Sequence, residues 1–463
     1  MLPPDERTPT EPAGLTLVAR VVHISDSHLV DALSPARFAG AHTFHESAWR
    51  AWEGCSTQLL DGVIRAANRI HASGTSIDLI LHTGDACDNA QSNELGWFVS
   101  VMDGRPVDPL SGPDDRPPDA RPDVTLDPYA SFQPQGLYRN GVHGDRPSIP
   151  WYVVPGNHDC HAIGIFPFVT APDGRRIAPL PLSIRPGILL PAVFDPTGSW
   201  AHGSVTPANP GPPSLLGLPM YVAPNAGRAY FSKREFVRAL FSTSTEPAGH
   251  GFADAEDGPT WYSVSPAPGL RLIGLDTNDL PFACPEFPYS EGCVAEAQRD
   301  FLRGELEAAQ ARGELIVVAS HHPSYALVPS YGSALGPDDL RELLNAFPGV
   351  VLHLAGHSHA NRVAIRGGYL EIETCSTLDP PQEGRVIEVW RDIADGSVEI
   401  GYRMFSHDDD IGPPWGEDPL RALRTWARAV AEKGEVSRKP LLSADEAPRG
   451  TPPDREGRVR LPR

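Results

Sequence analysis

A layered α/β fold carrying two long loop-rich insertions is what this 463-residue sequence predicts, and three observations predict it. Short apolar runs recur along the chain, segments with helical spacing lie between several of them, and two tracts rich in Pro, Gly and Asp interrupt the alternation. Strands alternating with helices argue for sheets covered by helices.

The runs that read as buried strands are 17–25 (LVARVVHIS), 77–84 (IDLILHTG), 151–156 (WYVVPG), 270–276 (LRLIGLD), 315–322 (LIVVASHH) and 350–357 (VVLHLAGH). Apolar residues at helical spacing behind Ser56 predict a helix over 56–73, and 294–312 and 337–346 read the same way. After Gly367, the segments GYLEIETCS, GRVIEVWRD and GSVEIGYRMF read as successive antiparallel strands. The insertions, about 103–150 and 171–259, lack sustained periodicity, apart from a short capped helix at 232–241 (SKREFVRALF). Residues 1–15 read as a flexible N-terminus, 16–407 as the principal domain, and 408–463 as a helix near 419–433 followed by a mobile tail.

Composition narrows the function classes. The net charge of −20, from 59 acidic against 39 basic residues, would repel polynucleotides and acidic membrane surfaces, so neither is an expected partner. The N-terminal MLPPDERTPTEPAG has neither a basic nor an apolar signal segment, and 179–194 is too broken by prolines to span a bilayer. Six scattered cysteines without a C-x-x-C pair fit a reducing cytoplasm, although Cys284 and Cys293 bracket a short loop and could bridge.

Ligands in open α/β sheets bind outside the C-terminal ends of the strands, and those ends carry a consistent cargo here. In order they are Asp26 and His28, Gly84-Asp85, Gly156-Asn157-His158-Asp159, His321-His322-Pro323, and Gly356-His357-Ser358-His359. Singly each is weak, because a D-x-H or a strand-ending GD arises often by chance. Together they supply His28, His321, His357 and His359, the carboxylates of Asp26 and Asp85, and the amide of Asn157. That is too many donors for one tetrahedral ion and suits two ions sharing a carboxylate. Two cations roughly 3.5–4 Å apart can clamp the attacking and leaving oxygens of an in-line displacement. His23, His82 and His353 sit inside apolar runs and read as satisfied core histidines, Asp88 and Asn89 as hydrogen-bonding supports, and Asp61 and Glu94 as solvated charges.

These five ordered motifs resemble the calcineurin-like metallophosphoesterase superfamily, from about 16 to 405 but not in the insertions or tail. The resemblance implies an α/β/β/α sandwich and two divalent or mixed-valence ions drawn from Mn, Fe, Zn or Co. It implies Asp26, His28 and His359 on one metal, Asn157, His321 and His357 on the other, and Asp85 bridging. His158 would then be catalytic, stabilising phosphoryl charge and protonating the leaving oxygen, with Asp159 orienting it; His322 reads as packing.

Departures from the superfamily's branches narrow the choice. Asp88 stands where purple acid phosphatases carry a Tyr, and Asp159 where Ser/Thr protein phosphatases carry a Glu. G-N-H-D with H-H-P is similar to the cyclic-nucleotide and glycerophosphodiester phosphodiesterases. The expectation is therefore a metal-dependent phosphodiesterase cleaving a small-molecule phosphoester by attack of a metal-held hydroxide. The alternatives are a phosphomonoesterase on a nucleotide or sugar phosphate and a non-catalytic binding protein of the same fold. From Asp85 to Asn157 is 72 residues and from His158 to His321 is 163, so the insertions must leave and rejoin near the site, as a lid or wall that selects substrate.

Overall fold

Ten residues, Leu15–Ile24, form β1 at the middle of the first sheet of the computed structural model. The structure describes residues 14–36, 49–112, 127–137, 149–179, 193–194, 196–197, 200–201, 220–279, 290–407, 418–438 and 448–461. The other strands of the two large sheets are β2 (Leu79–His82), β3 (Trp151–Val153), β4 (Tyr262–Ala267), β5 (Leu270–Gly274) and β6 (Leu315–Ala319). They continue with β7 (Val350–Ala355), β8 (Arg362–Ile365), β9 (Leu370–Glu373), β10 (Glu383–Asp392), β11 (Val398–Ser406) and β12 (Glu456–Leu461). The helices are α1 (Ser56–Ala72), α2 (Ser92–Asp103), α3 (Lys233–Leu240), α4 (Glu296–Ala311), α5 (Pro337–Asn345) and α6 (Pro419–Arg438).

The first sheet has the order β12-β11-β10-β1-β2-β3, with β1, β2 and β3 parallel and the others antiparallel. The second has the order β8-β9-β7-β6-β5-β4, where β5, β6, β7 and β9 are parallel and β4 and β8 are antiparallel edges. Strand side chains alternate between faces, and the second sheet shows how that builds layers. Leu272, Val317, Leu352, Leu354, Leu370 and Ile372 join Val21, Ile387 and Val389 of the first sheet in one core. Their neighbours Ile273, Ile316, Val318 and Val350 pack instead with Leu302 and Leu306 of α4 and Leu340 and Leu344 of α5. With Leu60, Val63 and Ile64 of α1 and Phe98 and Met102 of α2 against the first sheet, the layers run α/β/β/α.

Several sequence expectations need correction. Leu370–Glu373 does not continue an antiparallel run with β10 and β11; it lies in the second sheet, parallel to β7. Four residues of alternating polarity cannot specify which sheet they join, and burial of Leu370 and Ile372 decides it. The chain end is likewise no tail over 456–461: β12 pairs with β11, with Arg458 donating to Glu399 and Arg460 to Asp392. An edge strand that faces water tolerates charges at every second position, so it reads as tail. The principal domain thus extends past 407, and α6 packs Leu423, Ala427 and Ala431 against Trp52 and Leu59.

Helix α2 has no counterpart in the sequence reading, since Gly96 and bulky Trp97 and Phe98 blur its pattern. It is held by a capping box of Gln91 and Glu94. Glu94 and Asp61, read as solvated, are both fully buried. Asp61 accepts from Gln135 N and Arg65, while Glu94 accepts from the backbone N–H of Asp31 and Asn89, tying the loops after β1 and β2 together.

In the second insertion, α3 forms as expected behind Ser232, and short strands pair at Val169–Thr170, Arg176–Pro179 and Val193–Phe194, and at Trp200–Ala201 with Met220–Tyr221. The first 13 residues, Cys284, and much of both insertions lie outside the described residues. Among the described residues no helix is long and apolar enough to cross a membrane.

Candidate metal centre

All the proposed donors stand on loops at the C-terminal ends of parallel strands of the two sheets. β1 delivers Asp26 and His28, β2 Asp85, β3 Asn157 and His158, β6 His321, and β7 His357 and His359. Two glycines let these loops touch: a Cβ on Gly156 would collide with Asp85, and one on Gly356 with Ser25 and Asp26. Asp26, His28, Asp85, His357 and His359 all have positive φ, between 42° and 67°. Non-glycine residues rarely adopt that region, which costs about 1–3 kcal/mol each and collects where function requires a particular aim.

The side chains converge in two groups. Ligand atoms of Asp26, His28, Asp85 and His359 lie within 4.8 Å of one another. His28 Nε2 stands 3.0 Å from His359 Nε2 and 3.5 Å from Asp85 Oδ2, and His359 Nε2 stands 3.3 Å from Asp26 Oδ1. Next to them, Asn157 Oδ1 is 2.9 Å from His321 Nε2 and 3.3 Å from His357 Nδ1. His321 Nε2 is also 3.3 Å from Asp85 Oδ2, so one carboxylate oxygen reaches both groups. Asp26, His28, Asp85, Asn157 and His321 are at most 3% exposed, while His357 and His359 keep 18% and 20% of their side chains open.

Electrostatics fits cations in this place. Burial alone would lower His321 and His359, yet Asp85 holds the first at about 9, and Asp26 and Asp379 hold the second at about 10. Against the cost of burial, Asp26 and Asp85 are held below the usual carboxylate range by His359 and His321 respectively. Desolvation takes His28 down to about 4 and His357 to about 3, leaving neutral imidazoles able to donate lone pairs. Carboxylates that stay ionised and converging neutral or displaceable imidazoles form a potential donor set for metal cations.

His158 is only partly buried, its ring edge-on to His28 with centroids 4.6 Å apart. Its Nδ1 sits 2.6 Å from the Asp88 carbonyl, and its backbone N–H donates to Asp85 Oδ1 at 2.8 Å. Asp159 does not orient it. That carboxylate is fully buried and accepts from Gly156 N, Cys87 N and Ala86 N, lacing the turn after β3 to the turn after β2. Adjacency in sequence suggested a dyad, but the two side chains leave the turn in different directions. Burial, with Asp85 nearby, pushes Asp159 up to about 7 despite those three donors. Asp159→Ala is expected to destabilise the protein by about 3 kcal/mol or more, since each orphaned buried donor costs about 1–3 kcal/mol. Urea unfolding midpoints measure it.

The other histidines are accounted for. His23 bonds Thr83 and Thr374, His82 bonds Ser27, and His353 bonds Ser320 and Glu371, so core satisfaction comes mainly from side chains rather than backbone. His322 lies near His321 and His357, but both its nitrogens are engaged, with Thr277 Oγ1 and Ser290 O. Asp88 supports His28 Nδ1 at 3.0 Å, whereas Asn89 accepts from Ile163 N and touches none of the donors. Two residues escaped sequence reading, Asp379 and Arg50; neither belongs to a motif, and only Asp379's place soon after β9 offered a signal.

Two helix-covered mixed sheets with this donor set at one end of their parallel strands fit a metallophosphoesterase, a hydrolase acting on phosphoester bonds. Residues 19–204 match the family described as calcineurin-like phosphoesterase. The matched stretch holds Asp26, His28, Asp85, Asn157 and His158; the donors of β6 and β7 lie beyond it. No curated protein matches the chain.

Among solved structures, a dimetal phosphatase from Danio rerio is 13% identical with a TM-score of 0.42, covering 85% of this chain and 97% of its own. A candidate 5′-nucleotidase from Staphylococcus aureus, in complex with α-ketoglutarate, is 12% identical with a TM-score of 0.36, covering 89% of this chain, which spans 58% of that protein. PhoD is 8% identical with a TM-score of 0.32, covering 93% of this chain and 79% of its own.

Proposed function

We propose that this chain is a phosphodiesterase acting on a small-molecule phosphoester, and the charge around the donors carries the reading. The cation that reaches this shell, Arg50, is committed to Asp88 and Asp379. On the open side, Glu291 Oε2 lies 3.9 Å from His357 Nε2, so a carboxylate faces the incoming substrate. A monoester dianion would meet that carboxylate with two negative charges, whereas a diester brings only one. The net charge of −20 supports a small molecule over a polynucleotide.

In this reading Asp26, His28 and His359 would hold one cation and Asn157, His321 and His357 the other, with Asp85 shared between them. Such ions, Mn, Fe, Zn or Co, supply Lewis-acid stabilisation of phosphoryl oxygens and lower the pKa of water. The chain's own residues do the rest. A carbonyl can only accept, so His158 carries a hydrogen on Nδ1 toward Asp88 O, and only the doubly protonated ring, with a second hydrogen on Nε2, can pass a proton to the departing oxygen and end as the neutral imidazole.

The test compares bis-p-nitrophenyl phosphate with p-nitrophenyl phosphate in the presence of Mn²⁺. The diester is expected to have the higher kcat/KM. A preference for the monoester would establish a phosphomonoesterase instead, and no Mn²⁺-dependent turnover of either would favour a binding protein.

A further inference from the structure

One guanidinium stands behind both imidazoles of the first donor group. His28 Nδ1 lies 3.0 Å from Asp88 Oδ1, and His359 Nδ1 lies 2.8 Å from Asp379 Oδ2. Arg50 donates to both carboxylates, from Nη1 to Asp88 Oδ1 at 3.1 Å and from Nε to Asp379 Oδ1 at 2.7 Å. Its side chain is 1% exposed. The short segment that carries it is docked in place, with Arg50 N donating to Glu53 and Trp52 Nε1 to Leu378 O.

Among the described residues no carboxylate stands within hydrogen-bond distance behind the second donor group, the nearest being Glu291 Oε2 at 3.9 Å from His357 Nε2. His321 Nδ1 meets the backbone carbonyl of Thr83 at 2.8 Å, and His357 turns its Nδ1 toward Asn157 Oδ1. The two groups therefore differ in kind. A carboxylate behind an imidazole fixes its tautomer, aims the opposite nitrogen and makes it more basic, whereas a neutral carbonyl does the first two more weakly. Two carboxylates drawn toward one centre repel, and a planar guanidinium fork is the group that can hold both at defined angles.

We propose that Arg50 is a positioning residue for the first cation alone: by clamping Asp88 and Asp379 it aims His28 and His359 and makes that site the tighter of the two. The proposal rests on the cation-binding reading of this site, not on the choice of diester over monoester. Among the described residues the buried Nη2 of Arg50 has no hydrogen-bond partner, and the fork is held by its two carboxylates and its docked backbone.

The test is stepwise stripping of the Mn²⁺-loaded full chain by a graded chelator, counting ions retained per chain. His359→Ala and His357→Ala identify the steps that belong to the first and second site. Wild-type protein is expected to release its cations in two steps, the first site last. Arg50→Lys keeps the charge but cannot fork both carboxylates, and it should weaken retention at the first site about 10–100-fold while leaving the second step where it was. Asp379→Asn, which is isosteric, should do the same and decides the matter if Arg50→Lys fails to fold. Equal weakening of both sites, wild-type retention in both variants, or a single step in the wild type would overturn the proposal. Because binding rather than turnover is read, that outcome is distinguishable from failure of the diester assignment.

Discussion

Asp85→Asn is expected to abolish metal-dependent hydrolysis while leaving the fold in place. One oxygen of Asp85 stands 3.5 Å from His28 Nε2 and 3.3 Å from His321 Nε2, the point at which the two donor groups meet. The other oxygen accepts the His158 backbone N–H, a bond that an asparagine carbonyl can keep. The substitution therefore removes a charge and little else. Metal-ion catalysis supplies several kcal/mol of transition-state stabilisation, and each ~1.4 kcal/mol is tenfold in rate, so kcat/KM should fall ~10³-fold or more. Ions per chain should drop below those of wild type, with the metal-free variant still unfolding in one cooperative thermal transition. Near-wild-type turnover with both ions retained would remove Asp85 from the bridging role.

His158→Ala should cost about 10²–10⁴-fold in kcat/KM, the usual range for a lost general acid, with the ion content intact. The ring is held at Nδ1 from Asp88 O and is partly open, with Nε2 beside Gly164. The loss should depend on the leaving group. A p-nitrophenolate departs without a proton, so bis-p-nitrophenyl phosphate should suffer less than a diester with an alkyl leaving group. An equal loss on both substrates would mean that His158 stabilises charge on the phosphoryl group rather than protonating the leaving oxygen. Loss of an ion in this variant would mean that it is a ligand.

Much of this site was legible because metal chemistry narrows the residue types so far. Asp26, His28, Asp85, Asn157, His321, His357 and His359 are scattered over 334 positions of chain, 26 to 359, yet each closes a strand that its apolar pattern reveals. The general rule that ligands gather at strand C-termini then brings them together before any coordinate is known. Asp159 shows where that reasoning stops. Its neighbour His158 stays partly open and meets the Asp88 carbonyl, while its own carboxylate turns inward to three backbone N–H groups. Nothing in the order N-H-D distinguishes an orienting carboxylate from one that ties two turns together. Glu94 and Asp61 illustrate the same limit, since a charged residue buried by long-range partners looks identical in sequence to a solvated one.

Arg50, Asp379 and β12 mark the remaining boundary. Periodicity and motif order reflect interactions within a few residues, and these were enough to specify the layered α/β class, most strands and the candidate donors that the fold brings close together. Arg50 is separated from Asp379 by 329 positions, and β12 follows β11 only after α6 and an intervening stretch. Their roles arise when the closed sandwich brings distant backbone into register. Hydrogen bonds and ion pairs between segments so far apart leave no local pattern, so which carboxylates back the imidazoles, and which edge the last strand joins, was decided by the tertiary fold alone.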